Sequence, residues 1–207
     1  MKQFLFLGDS ITDCNHCFDP ENLGFGYVRE ISNILHTYDK TETYEIINKG
    51  NDGFTVSSVL RLWKASLSAL SPDFITILVG INDLAVMINT GLTESVALAQ
   101  FRDRYHTLLT ELRKTCSCPM LLMEPFIFPF PREYAAREPA LLKMQSIISG
   151  HSVVHKLNYK PLAEDLREAA NAYGSNHLTT DGIHLTDFGH ELLAKKWFAT
   201  TSSVVIP

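Results

Sequence analysis

With 207 residues, 45% of them hydrophobic, and a formal net charge of −5, the chain has an ordinary globular composition and enough length to bury a core within one domain, 1–207. The acidic balance argues against nucleic acid or an anionic membrane surface as partner, since both select a basic face. No apolar run approaches a bilayer-spanning length, and Met1-Lys2 leads straight into the first apolar run, so neither a membrane span nor a secretory leader is expected and the cytoplasm is the expected compartment.

In chain order, the apolar run 4–7 predicts a buried strand that stops at the turn signal Gly8-Asp9, with Ser10 immediately after it. Residues 12–22 are polar and rich in breakers, which predicts a loop or a short helical turn. Tyr27, Val28, Ile31, Ile34 and Leu35 repeat at the helical period. Residues 44–47 predict a short strand, and Asn48-Lys49-Gly50-Asn51-Asp52-Gly53 a dense turn cluster. A helix is predicted from Thr55 to Leu70, broken by Ser71-Pro72. Residues 74–79 are continuously apolar, as in a strand buried on both faces, and end in Gly80-Ile81-Asn82-Asp83.

A long helix is predicted from Thr93 to Leu112, and a strand over 119–123. Three prolines between 124 and 131 forbid regular structure there and predict an aromatic loop carrying Phe126, Phe128 and Phe130. Residues 134–157 read as mostly helical, with Gly150 a weak point. Residues 159–162 read as an edge strand, because Pro161 cannot serve a central one. A helix over 164–173 stops at Gly174. Residues 179–185 form a loop, and Thr186 or Asp187 caps a final helix over 188–198. Five strands alternating with helices predict an α/β fold with a parallel sheet covered on both faces.

Several motifs fail on context. Gly24-Phe25-Gly26 lacks the third glycine of a dinucleotide fingerprint and follows no strand. Cys14-Asn15-His16-Cys17 has metal or redox spacing. Cys116-Ser117-Cys118 is poorly spaced as its zinc partner, and no helix is predicted after Cys17, so reduced thiols are expected. His184 with Asp187 makes only two ligands, too few for a metal site.

What remains points to acyl transfer. Ser10 lies at the carboxyl end of a predicted parallel strand, where open α/β sheets bind ligands. A serine hydroxyl is a weak nucleophile and needs a base; an imidazole suits, and His184 is one candidate. Asp181, three residues earlier, is placed to hold the other ring nitrogen. Gly53 N–H, the Asn82 amide and Ser10 N–H are candidate oxyanion donors. Each residue also has an ordinary reading: Ser10 as a helix cap, Gly53 and Asn82 as turn residues, His184 as a surface histidine with His177 and His190 close by.

The chain is similar to the SGNH hydrolases, also called the GDSL esterase/lipase family. Gly8-Asp9-Ser10-Ile11, Asn48 to Gly53, Gly80-Ile81-Asn82-Asp83 and Asp181-Gly182-Ile183-His184 match its four blocks in order across nearly the whole chain. The resemblance implies a flavodoxin-like three-layer α/β/α sandwich. It implies Ser10, His184 and Asp181 as the catalytic triad, with Ser10, Gly53 and Asn82 as the oxyanion hole and no metal or organic cofactor. Asp9, Asp13 and Asp83 are expected to brace turns rather than react.

The implied substrate is a short-acyl ester, such as an acetyl ester, of a small molecule or carbohydrate. Phe126 and Phe128 are candidate substrate contacts; alternatively they pack inward as core. Alternatives are a lysophospholipase or thioesterase on longer chains, or a non-catalytic flavodoxin-like binding module. A homo-oligomer is compatible with the sequence.

Overall fold

The computed structural model describes residues 1–129 and 132–205. β1 (Lys2–Gly8) leads into one turn of helix, α1 (Ser10–Asp13). Then follow α2 (Tyr27–Tyr38), β2 (Tyr44–Gly50), α3 (Val56–Leu62), β3 (Phe74–Leu78), α4 (Ile81–Asn89), α5 (Glu94–Thr115) and β4 (Met120–Met123). The chain continues through α6 (Arg132–Ala135), α7 (Glu138–His155), β5 (Asn158–Lys160), α8 (Ala163–Tyr173), α9 (Ser175–Leu178) and α10 (Asp187–Val205). The strands form a five-stranded sheet in the order β2-β1-β3-β4-β5. Every pairing is parallel, so all carboxyl ends share one edge of the sheet.

Strand alternation sorts the core into two layers. Phe4 and Phe6 of β1 point to the face covered by α2, α8 and α10, where they meet Tyr27, Leu166 and Trp197. Leu5 and Leu7 point to the other face, against Trp63, Tyr105 and Met144 of the α3, α5 and α7 layer. Thr76, a polar residue in the central strand β3, accepts a hydrogen bond from Trp197 Nε1 at 2.8 Å, so the largest ring of the first layer buries no unpaired N–H. Truncating such a ring typically costs about 3–5 kcal/mol.

The α/β architecture and five-stranded parallel sheet agree with the sequence reading. The differences are local. The helix after Thr55 does not stay regular: it widens into a π turn at Trp63–Leu67, where Ser68 N–H bonds the Trp63 carbonyl. Trp63 and Leu67, at the two ends of this turn, are both buried. The segment after Gly80, unassigned from sequence, is α4; buried Ile81 and Leu84 mark its inner side. β2 runs on through Gly50, so half of the expected turn cluster is strand. Gly150 does not interrupt α7, and α10 extends seven residues beyond the expected Phe198. Among the described residues, no helix is long and apolar enough to cross a membrane.

Candidate functional site

Ser10 begins α1 at the carboxyl end of β1, with Asp9 as helix cap: Asp9 Oδ1 accepts Ile11 N–H at 3.1 Å. The turn is packed main chain against main chain. A Cβ on Gly8 would lie 2.5 Å from the Leu78 carbonyl oxygen, and one on Gly50 would lie 2.2 Å from Asp13 N. Asn48, buried in β2, donates to the Thr12 and Leu23 carbonyls at 2.7 Å each and ties the segment after Ser10 to the sheet.

His184 and Asp181 come from a loop closed by the antiparallel bridge of Thr179 with Leu185. Asp181 Oδ1 accepts the Ile183 and His184 N–H groups at 2.9 and 2.8 Å. Its Oδ2 lies 2.6 Å from His184 Nδ1. Desolvation opposes the charge of Asp181, but the His184 ring and these two N–H groups outweigh it and hold the carboxyl below its usual range. An ionised carboxylate only accepts, so Nδ1 carries the proton and Nε2 the lone pair. Ser10 Oγ lies 3.0 Å from that Nε2. Ser10 and a pair most of the chain away thus form one hydrogen-bonded line, half-exposed at His184 and Asp181.

This line opens into a cleft of about 380 Å³ lined by Ser10, Ile11, Asp13, Cys14, Asn15, Asp52, His184, Leu185 and His190. His190 shares the cleft but not the chemistry. Its Nδ1 accepts Tyr27 N–H at 3.1 Å, which places the ring proton on Nε2, 3.6 Å from Cys14 Sγ. Burial drives its pKa down to about 4, so it is a neutral structural ring.

Gly53 and Asn82 are brought to each other. Asn82 Nδ2 donates at 3.0 Å to the Phe54 carbonyl, the residue after Gly53. Gly53 sits at φ +70° with its outer side open, a conformation in which glycine avoids the Cβ penalty. Asp13 Oδ2 accepts Asp52 N–H at 3.1 Å and so fastens this turn to α1. Asp83 does not brace its own loop: its Oδ2 accepts Val56 N–H at 2.9 Å, holding the start of α3. Burial raises Asp83 to about 6. Asp9 is raised to about 7 by burial, with Asp83 adding to the shift. These cross-links escape sequence reading because each joins residues far apart in the chain.

The aromatic loop takes the inward of its two readings. Phe126 and Phe128 are buried, edge to face with ring centroids 6.1 Å apart, and neither lines the Ser10 cleft. They face a separate cavity of about 320 Å³ shared with Leu141, Leu166 and Ala170. Phe128 N–H bonds the Gly182 carbonyl at 2.8 Å, which turns the loop inward and makes it a prop for the Asp181–His184 loop. Phe130, grouped with them in the sequence, lies outside the described residues. The cysteines are free thiols. Cys14 and Cys17 sit near the carboxyl edge of the sheet, whereas Cys116 and Cys118 precede β4 at the amino edge, so the two pairs do not combine.

The model of the GDSL-like lipase/acylhydrolase family matches residues 6–192, and the chain belongs to that family. It is 30% identical over 133 residues to an acetylxylan esterase of Geobacillus stearothermophilus; the matched stretch is 60% of this chain and 60% of the relative's length. Among solved structures, a catalytic mutant of Axe2, an acetylxylan esterase from the same organism, superposes with a TM-score of 0.84 at 22% identity, covering 96% of this chain and 93% of the other. A putative GDSL-like lipase from Parabacteroides merdae gives 0.87 at 23% identity, covering 97% and 95%.

Proposed function

We propose that the protein is a serine esterase that hydrolyses short-acyl esters, acetyl above all, of a small molecule or carbohydrate. The observation that carries the reading is the Ser10–His184–Asp181 line at the cleft mouth. Ser10 Oγ attacks the ester carbonyl while His184 Nε2 takes its proton. Asp181 holds the ring and stabilises the imidazolium that forms. The tetrahedral oxyanion is held by Ser10 N–H, Gly53 N–H and the Asn82 amide, whose Nδ2 gives one hydrogen to the Phe54 carbonyl and has a second to give. His184 returns its proton to the leaving alcohol. Water, deprotonated by the same ring, then attacks the acyl-enzyme and frees the acid and Ser10. These residues complete the cycle without a metal or organic cofactor.

The cleft lining supports the substrate class. Asp13, Asn15, Asp52 and the two histidines offer polar contacts suited to a hydroxyl-rich alcohol, and Ile11 and Leu185 give only a small apolar surface for an acyl group. A long acyl chain would need an apolar channel that this lining does not provide. Catalytic mutants of Axe2 replace a serine, an aspartate and a histidine, the last two spaced as Asp181 and His184 are here. A cytoplasmic setting, with the four thiols reduced, completes the reading.

The test is initial rates on p-nitrophenyl acetate, butyrate and octanoate and on acetylated xylo-oligosaccharides, for wild type and Ser10→Ala. A Ser10-dependent rate that falls steeply beyond short acyl groups is expected. Preference for octanoate overturns the substrate class, and equal rates for wild type and variant on every ester overturn the esterase.

A further inference from the structure

A second group of reactive side chains lies on the other side of the molecule. His106 of α5 meets His151 and His155 of α7, with one ring nitrogen from each within 4.8 Å of the others. His151 and His155 are four residues apart and share a helix face. The three rings are in mutual contact, with centroids 5.2 to 6.0 Å apart. His155 Nε2 and His106 Nδ1 are 3.2 Å apart. Two nitrogens on one tetrahedral zinc ion, each at roughly 2.0–2.1 Å from the metal, lie about 3.3 Å apart.

We propose that His106, His151 and His155 bind one divalent transition-metal ion of the zinc class, which staples α5 to α7. Three imidazoles form a donor set that suits zinc, copper or nickel over magnesium or calcium. His151 is already oriented: its Nε2 donates to the Arg102 carbonyl at 3.0 Å, which leaves Nδ1 as the lone-pair nitrogen of that ring. Tyr105 stacks on the same ring, 5.8 Å between centroids, and fixes its plane. His106 is exposed, which opens a path for the ion and leaves water to complete its coordination.

The place of the cluster sets its role. His155 ends α7 just before β5, so the cluster lies towards the amino edge of the parallel sheet, whereas Ser10 is at the carboxyl edge. A metal there acts on stability rather than on the ester. α5 and α7 contribute to the same core layer, and an ion bound only by the folded arrangement stabilises it by mass action.

The experiment uses chelator-treated full-length protein dialysed against Zn²⁺, with bound metal counted by elemental analysis, Co²⁺ absorption as a second probe and thermal unfolding as the readout. Wild type is expected to bind one equivalent and to gain about 5–10 °C in Tm at a hundredfold excess of free metal over Kd. His106→Ala and His155→Ala are expected to weaken binding at least tenfold and to lose the shift. Exposed His106 can be removed without disturbing the metal-free fold, so its metal-free Tm stays near that of wild type. Cys14→Ser/Cys17→Ser and His184→Ala are expected to keep the full equivalent. Absence of stoichiometric binding by wild type, equal binding by His106→Ala, or binding that follows the cysteines or His184 overturns the proposal. None of these outcomes depends on esterase activity.

Discussion

The two walls of the Ser10 cleft are built by different means. The loop at 179–185 closes on itself: Asp181, Ile183, His184 and Thr179 satisfy one another within five residues. The wall at 51–54 is held from a distance. Asp13 reaches across 39 residues to Asp52 N–H, Asn82 across 28 to the Phe54 carbonyl, and Asp83 across 27 to Val56 N–H. The first wall can form from local sequence, whereas the second exists only once the sheet has brought three strand ends together. The proposed acid–base chemistry falls on the first wall and the proposed oxyanion binding on the second, so the two roles should fail differently.

The largest effects belong to the self-contained wall and its serine. Ser10→Ala should lower kcat by roughly 10⁶ and Asp181→Asn by roughly 10⁴, with the fold unchanged by circular dichroism. If Asp181→Asn turns over within tenfold of wild type, His184 takes its orientation from another group. Asn82→Ala should cost roughly 10²–10³ in kcat with little change in KM, because its donor matters when the oxyanion forms. A raised KM at normal kcat would instead place Asn82 in substrate binding.

His190 sharpens the contrast from beside the first wall. Its folded pKa of about 4 lies below the 6.5 of a free imidazole. The unfolded chain therefore takes up the proton first as pH falls. The stability this ring contributes is complete above 6.5 and is lost towards pH 4, on the order of 3 kcal/mol over that window. Urea unfolding at pH 7, 5.5 and 4.5 should show a slope that His190→Gln lacks; parallel slopes would mean that the ring is already charged in the fold. The smallest effect is expected at Gly53. Its Cβ would meet no neighbour, so Gly53→Ala carries only the left-handed strain of about 1–2 kcal/mol. A rate loss under tenfold is expected, and a hundredfold loss would show that the turn must move during turnover.

The same contrast explains what the sequence made legible. The apolar runs at β1 and β3 and the helical periods were readable because burial on a regular element repeats at a fixed interval. Asp181 and His184 were readable as a pair because their separation in space follows from their separation in sequence. The long-range bonds of Asp13, Asn82 and Asp83 had no such signal. The inward turn of Phe126 and Phe128 depends on a bond from Phe128 N–H to the Gly182 carbonyl, which no composition rule reports. The i, i+4 spacing of His151 and His155 carries no sign of a cluster by itself, because the third ring, His106, arrives from another helix.

Gly8 and Gly50 leave no room for even a methyl group between the turn at Ser10 and its neighbours. For laboratory evolution this divides the cleft into a fixed part and a variable part. Libraries that randomise either glycine will be filled with unfolded clones, because any side chain there must displace backbone. Diversity is better spent on Asp52, whose side chain edges the cleft without supporting the serine. Substrate range can therefore be retuned there while the position of the nucleophile stays fixed.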